Sequence, residues 1–376
     1  MDVPVEIDAA APVSVCFVAP KTYPLFNPEI KGVLGGAEVD MYLLATQIAQ
    51  DPAFEVSAIV ADYGQADEEV LENVRLLKGL SFAQHPIKSA ARIWKACRQA
   101  RAQIYFLKTF SLGLPLVGEF CRMYGRHLVY RTASAGEADG TYLRRHPLLG
   151  RLCYRALRRA SALYVQNQSD QMGLKGYIGT ESTVLPNGHR IPSPQDRARE
   201  TILWVGRSAL VKQALRFIDL AKRYSQRSFT MICQRATDDV HYDMVVSQAQ
   251  ALPNLTHLPH VPFHQIDEYF LRAKVLVNTS DSEGFPNTFI QAAKCGCPIL
   301  SYKVNPDDFL NRYRCGLCAE GDWERFVQQL GILLEEEAAG EFSLRGRAYA
   351  VESHDVREIA EAYKSRFRSL TQSRQI

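Results

Sequence analysis

The residues best placed to do chemistry lie in SDSEGFPNTFIQAAKCGCPILSY, residues 280–302. Glu283 sits there in a loop with Gly284, Phe285 and Pro286, and a helix is expected to start near Asn287 and Thr288. Because the apolar run KVLVNTS precedes it, the segment reads as strand, tight loop and helix. The backbone N–H groups at that helix start point toward any bound anion, and a diphosphate fits such a site. Upstream, VGRSALVK (205–212) ends a strand with Gly206 and Arg207 and places Lys212 five residues beyond the arginine. Two cations at the carboxyl end of a strand form a clamp for a diphosphate. Either one alone would be ordinary surface charge. Gly35 and Gly36 let the backbone approach a phosphate or sugar with no Cβ in the way. Cys295-x-Cys297 and Cys315-x-x-Cys318 have the outline of a zinc site, although small buried thiols suffice to explain them.

These residues must be held by regular elements, and the apolar runs supply them. VSVCFVAP (13–20), VSAIVA (56–61), IYFLKTF (104–110), HLVYRTA (127–133), ALYVQN (162–167) and STVLP (182–186) have strand length, with helix-length segments between them. Continuous apolar runs mark strands covered on both faces, and their alternation with helices predicts a right-handed parallel βαβ sheet. NGHRIPSPQDRARE (187–200) reads as a polar linker. After it the strand pattern returns at 201–206, 228–233, 255–259, 274–280 and 297–302. The expected organisation is a disordered stretch at 1–11, an α/β domain at 12–192 and a second at 193–352. An amphipathic helix at 353–376 closes the chain, with Val356, Ile359, Ala360, Tyr363 and Phe367 at helical spacing.

The 376 residues are 47% apolar and 23% charged, which excludes a disordered or fibrous chain. A net charge of +3 calls for no nucleic acid partner. No apolar run is long enough to span a bilayer, the start is acidic where a secretory signal would be basic, and nine cysteines read as reduced thiols. The expectation is a soluble cytoplasmic protein. Charge is nevertheless uneven. Residues 1–74 hold 2 Lys or Arg against 13 Asp or Glu, whereas residues 75–159 hold 17 against 3. Six of these arginines, Arg144, Arg145, Arg151, Arg155, Arg158 and Arg159, lie within 143–159. This basic segment is either a solvated face paired with the acidic start of the chain or a contact for an anionic membrane or another polyanion.

The loop with Glu283 and the spacing Gly206-Arg207-x4-Lys212 resemble the signature of retaining glycosyltransferases of the GT-B fold, family four (glycosyl transferases group 1). Weaker echoes are GGAE at 35–38, YVQNQSDQ, VLPNG at 184–188 and the stretch from THLPHV to KVLVNTS. The family carries a second acid eight positions after the first, and here that position is Gln291. The resemblance implies two Rossmann-like domains facing each other across a cleft, with the closing helix packed back on the first domain. It further implies a UDP-sugar or GDP-sugar donor held mainly by the second domain and a glycan, lipid-linked or small-molecule acceptor at the first. No bound cofactor is expected. Arg207 and Lys212 would neutralise the leaving diphosphate, Glu283 and the backbone of residues 284–287 would hold the sugar, and Gln291 would face the ribose. A histidine often ends the fourth N-terminal strand in the family, but Thr132, Ala133 and Ser134 stand there. Glu137 is the candidate for orienting the acceptor or acting as base, against a solvated loop acid. No Asp-x-Asp pair is present, which implies metal-independent transfer. A nucleotide-sugar epimerase of the same fold and a non-enzymatic polyanion or membrane binder are the competing readings.

Overall fold

The computed structural model describes residues 11–30, 32, 34–194, 197–236 and 239–372. The expected disordered stretch at 1–11 lies, apart from residue 11, outside them. The described chain forms two compact α/β units.

The first unit contains the described residues up to Val165, Gly173–Thr183 and the segment from Arg357 onward. Its strands are β1 (Val13–Val18), β2 (Phe54–Val60), β3 (Glu68–Leu71), β4 (Val74–Lys78), β5 (Ile104–Lys108), β6 (His127–Arg131), β7 (Ala162–Val165) and β8 (Thr183–Val184). They form one sheet in the order β3-β4-β2-β1-β5-β6-β7-β8. Val15, Cys16 and Phe17 of β1 are all buried, as a strand covered on both faces requires. Helices that bear on the site are α1 (Gly36–Ile48), α2 (Pro86–Ala100), α3 (Gly113–Tyr124) and α4 (Pro147–Leu157).

One part of this sheet departs from the expected parallel pattern. β3 pairs antiparallel with β4 through a turn in which Glu72 and Asn73 have φ of 48° and 62°. Neither strand was expected from apolar runs, because β3 is a short, acidic edge strand, the kind that discourages edge-to-edge pairing.

The second unit contains Gln166–Met172 and Val184–Val356. Its six strands are β9 (Thr201–Arg207), β10 (Phe229–Gln234), β11 (Leu255–Leu258), β12 (Ala273–Asn278), β13 (Ile299–Ser301) and β14 (Gly316–Cys318). They lie parallel in the order β11-β10-β9-β12-β13-β14. Side chains alternate across this sheet with a period of two. Ile202, Trp204, Val275 and Val277 enter one core with Phe217 and Phe326, while Leu203 and Leu276 enter the other with Phe289 and Phe309. The Cys315–Cys318 segment contributes the edge strand β14. Helix α5 (Asn287–Lys294) follows β12, and α6 (Glu336–His354) closes the unit.

The units divide at 183/184 and 356/357, with Gln166–Met172 also in the second, where 192/193 and 352/353 were expected. His189 N–H donates to the His354 carbonyl (2.7 Å) and Val356 N–H donates to the His189 carbonyl (3.0 Å), which stitches the start of the expected linker to the end of α6. The last helix, α7 (Val356–Gln372), belongs from Arg357 to the first unit. Within that unit the Tyr363 ring lies 5.4 Å from Phe106 and 4.5 Å from Tyr164, and Lys364 pairs with Asp51 at 2.9 Å.

Candidate functional site

In the second unit the chain winds outward from β9 to β10 and β11, then returns to the other side of β9 with β12. The carboxyl ends of β9 and β12 therefore form a topological switch point, where open parallel sheets bind ligands. The spaced residues of the sequence converge there. Arg207 ends β9, Lys212 closes the 3₁₀ turn Leu210–Lys212, and Glu283 lies in the loop that joins β12 to α5.

Lys212 Nζ donates to Glu283 Oε2 at 2.5 Å. The other carboxylate oxygen, Oε1, accepts from Asn278 Nδ2 (2.8 Å) and Ser280 Oγ (2.7 Å). Three side chains thus fix the direction of Glu283. The Lys212 turn is held from behind: Thr279 Oγ1 donates to the Lys212 carbonyl (2.7 Å) and accepts from Trp204 Nε1 (2.9 Å). Arg216 pairs with Asp281 at 2.7 Å and lies over the Tyr302 ring at 4.2 Å. Arg207 differs from all of these, since it is exposed and makes no ion pair among the described residues. At Gly206 a Cβ would come 2.8 Å from the Trp204 ring, so glycine lets the indole lie against its own strand.

The loop after Glu283 is anchored by its apolar residues. Pro286 is buried and caps α5, while the Phe285 ring packs 5.1 Å from Phe309 and 5.4 Å from His354. Asn187 Nδ2 donates to Asn287 Oδ1 at 2.7 Å, and His354 Nδ1 donates to the Asn187 carbonyl at 2.8 Å. VLPNG is therefore the segment that pins the start of α5. Thr288 is half-buried, and Gln291 is buried one turn into the helix. The sequence pattern missed Asn278, Ser280, Asn187 and Arg216. Only VLPNG carried a signal, because the others are single polar residues whose use depends on tertiary contact.

Gly35 and Gly36 open α1 in the first unit, and Gly35 N–H donates to Glu38 Oε2 at 2.9 Å, an N-terminal cap. Glu137 is not the solvated loop acid of the alternative reading. It is buried, accepting from Phe110 N–H (3.2 Å), Ala133 N–H (2.8 Å) and Tyr130 Oη (2.9 Å). Burial raises its pKa above the ordinary carboxylate value, opposed by these donors. In the same unit Asp40 pairs with Lys108 at 2.7 Å and with Arg131 at 3.2 Å, all three nearly inaccessible. Arg131 also donates to Tyr363 Oη at 2.7 Å. This buried charge cluster was not anticipated.

All nine cysteines are free and buried. Desolvation pushes the Cys295, Cys297 and Cys315 thiols up to about 12 and also raises Cys318. Among the described residues no group of three His, Cys, Asp or Glu is arranged to hold a metal ion. The six arginines of 143–159 are all exposed, on α4, at its ends or on the short helix Thr141–Arg145, and none pairs with a carboxylate among the described residues. Pairing with described acids at the start of the chain is thereby overturned.

Residues 199–336 match the family model described as glycosyl transferases group 1. That span lies inside the second unit and holds Arg207, Lys212 and Glu283. A sucrose-phosphate synthase from Thermosynechococcus elongatus superposes with a TM-score of 0.77 at 15% identity, over 96% of this chain and 100% of that one. The chain has the GT-B fold. Two further structures share it: a trehalose-6-phosphate structure from E. coli bound with UDP-2-fluoro glucose (TM-score 0.70, 12% identity, 94% and 98% covered) and a glycosyltransferase from Rickettsia africae (0.67, 10%, 96% and 99%). At these identities the likeness is one of fold. No curated protein matches the chain in sequence.

Proposed function

We propose that the chain is a retaining glycosyltransferase moving a sugar from a UDP-sugar or GDP-sugar to a glycan, lipid-linked or small-molecule acceptor. The observation that carries this reading is the unsaturated cation set at the β9/β12 switch point. Arg207 has no carboxylate partner among the described residues, and Lys212, with three N–H donors, gives one to Glu283. The family match over 199–336 and a fold neighbour bound with UDP-2-fluoro glucose support the assignment of that set to a sugar nucleotide.

In this reading Arg207 and Lys212 neutralise the diphosphate as the bond from its oxygen to the anomeric carbon breaks. Charge that develops only in the transition state is where such contacts lower the barrier. Glu283, oriented by Asn278 and Ser280, accepts from donor sugar hydroxyls, with the backbone of Gly284, Phe285, Pro286 and Asn287 alongside. Gln291 faces the ribose through neutral hydrogen bonds. The acceptor hydroxyl attacks on the face the diphosphate leaves and gives its proton to the departing diphosphate oxygen, so the anomeric configuration is kept. The two cations fill the role a metal would take, and we assign none. The arginines of 143–159, which pair with no carboxylate among the described residues, present the first unit to an anionic membrane, which makes the protein a peripheral enzyme at the inner face.

Incubation with α-configured UDP-sugars and GDP-sugars and a mixed glycan and lipid acceptor extract tests the reaction. Nuclear magnetic resonance of the product is expected to show nucleoside diphosphate release and an α-linked sugar. A β-linked product would rule out retention, and free epimerised sugar nucleotide without acceptor would replace transfer by epimerisation.

A further inference from the structure

The loop that carries Glu283 is supported from behind by a histidine far from it in the chain. His354 is the last residue of α6 and is 1% exposed. Its Nδ1 lies 2.8 Å from the Asn187 carbonyl oxygen and its Nε2 lies 2.9 Å from Tyr349 Oη. A carbonyl oxygen only accepts, so Nδ1 carries the hydrogen and Nε2 of the neutral ring accepts from the tyrosine. Burial raises the Tyr349 pKa, so that hydroxyl keeps its proton to donate. The two bonds together fix the tautomer and the plane of the ring.

A ring so fixed meets the candidate site at two points. The Phe285 ring packs 5.4 Å from the imidazole. Asn187, whose carbonyl takes the Nδ1 hydrogen, uses its own side-chain amide to donate to Asn287, the first residue of α5, at 2.7 Å. Next to Asn187, a Cβ at Gly188 would come 3.0 Å from Val356 Cα, so glycine lets this segment lie against the chain that leaves α6. Phe285 and Asn287 flank Pro286, so both ends of the turn after Glu283 are held by groups that His354 touches or orients. Packing alone would need no donor of fixed direction at this place, whereas site residues are held to about 0.5 Å by supporting hydrogen bonds of this kind. We propose that His354 is a positioning residue for the nucleoside diphosphate site, holding the 283–287 loop through its Nδ1 bond to Asn187. This role rests on the transferase reading for the identity of the ligand.

Two amide variants separate the two ring nitrogens. His354→Asn offers an N–H near Nδ1 and drops the Tyr349 contact, whereas His354→Gln offers an acceptor near Nε2 and drops the Asn187 bond. Both remove the ring from Phe285, so the two are compared with each other. Calorimetric titration of the full chain with UDP and GDP is expected to show affinity about tenfold weaker in His354→Gln than in His354→Asn. Hydrogen exchange at the amides of residues 284, 285, 287 and 288, referred to the β10 amides of the same unit, should be faster in His354→Gln as well. Tyr349→Phe, which leaves the Nδ1 bond in place, should lower the melting temperature without changing nucleotide affinity. Equal affinity and equal loop exchange in the Asn and Gln variants overturn the positioning role. If either variant fails to fold, Asn187→Leu, which keeps the carbonyl and loses the amide, decides: affinity about tenfold below wild type supports the role, and unchanged affinity overturns it. Failure of the wild type to bind UDP or GDP overturns the transferase reading instead, and loop exchange then decides the role of His354.

Discussion

The two units place ligand-sized opportunities at the same topological address and fill them with different chemistry. At β1/β5 the charged residues are buried and paired with one another, Asp40 holding both Lys108 and Arg131, and an apolar cavity lies beside them. At β9/β12 the charged residues are partly exposed, and Arg207 makes no ion pair among the described residues. A buried cluster whose charges pair with one another fixes structure. An unsaturated one at a strand end can take an anion without first breaking the fold. Topology therefore gives the address, and the balance of charges gives the use.

The comparison breaks most visibly at Asp40. Asp40→Asn leaves Lys108 and Arg131 buried with less compensation, and losing one partner of a buried ion pair costs about 3–5 kcal/mol. Denaturant unfolding should show a loss of that order, and a variant as stable as wild type would mean that the cluster does not hold the first unit together. In the second unit the expectation reverses. Arg207→Ala and Lys212→Ala should each lower turnover by about 10²–10³, the effect of removing one charge-stabilising contact. Their thermal unfolding should stay close to wild type, and near-normal turnover in both would remove the diphosphate clamp.

Smaller effects sharpen the picture. Each basic residue near an anionic surface contributes about 1 kcal/mol, so three exposed arginines suffice for reversible docking. Flotation with phosphatidylglycerol vesicles should be lost in high salt and in the Arg151, Arg155 and Arg158 triple alanine variant. Equal flotation with neutral vesicles would reject an electrostatic contact. The smallest expected change is at Gln291. Gln291→Glu should tighten nucleotide binding by about 1 kcal/mol, a charged hydrogen bond replacing a neutral one, and calorimetry showing all nucleotide affinity lost would displace Gln291 from the ribose.

How much of this was legible in the sequence follows from what each feature depends on. Strands such as β1 and β9 announce themselves because burial on both faces demands an unbroken apolar run. β3 does not, being acidic and at the edge. Glu283, Arg207 and Lys212 were legible because each carries a local signature, Gly206-Arg207-x4-Lys212 after β9 and the Glu283-Gly284-Phe285-Pro286 loop after β12. The Asp40–Lys108–Arg131 cluster joins positions 68 and 91 residues apart, and nothing local marks the three as partners. Glu137 looked like a loop acid because its donors, the Phe110 and Ala133 N–H groups, are backbone and leave no trace in residue type. The apolar cavity was invisible for a similar reason: Phe82, Ile87 and Leu112 are ordinary residues until the fold brings the Phe82 turn and the starts of α2 and α3 to one cavity.

The central claim is that the open charge set at β9/β12 is a nucleoside diphosphate site, and calorimetric titration with UDP and GDP tests it most directly. Wild type should bind at least one of them one-to-one and gain stability as RT ln(1 + [L]/Kd), about 2.7 kcal/mol at a hundredfold excess over Kd. Arg207→Ala should weaken that binding at least tenfold, about 1.4 kcal/mol, while Asp40→Asn, if folded at the assay temperature, should not. Absence of binding by both nucleotides, or equal binding by Arg207→Ala, would contradict the account.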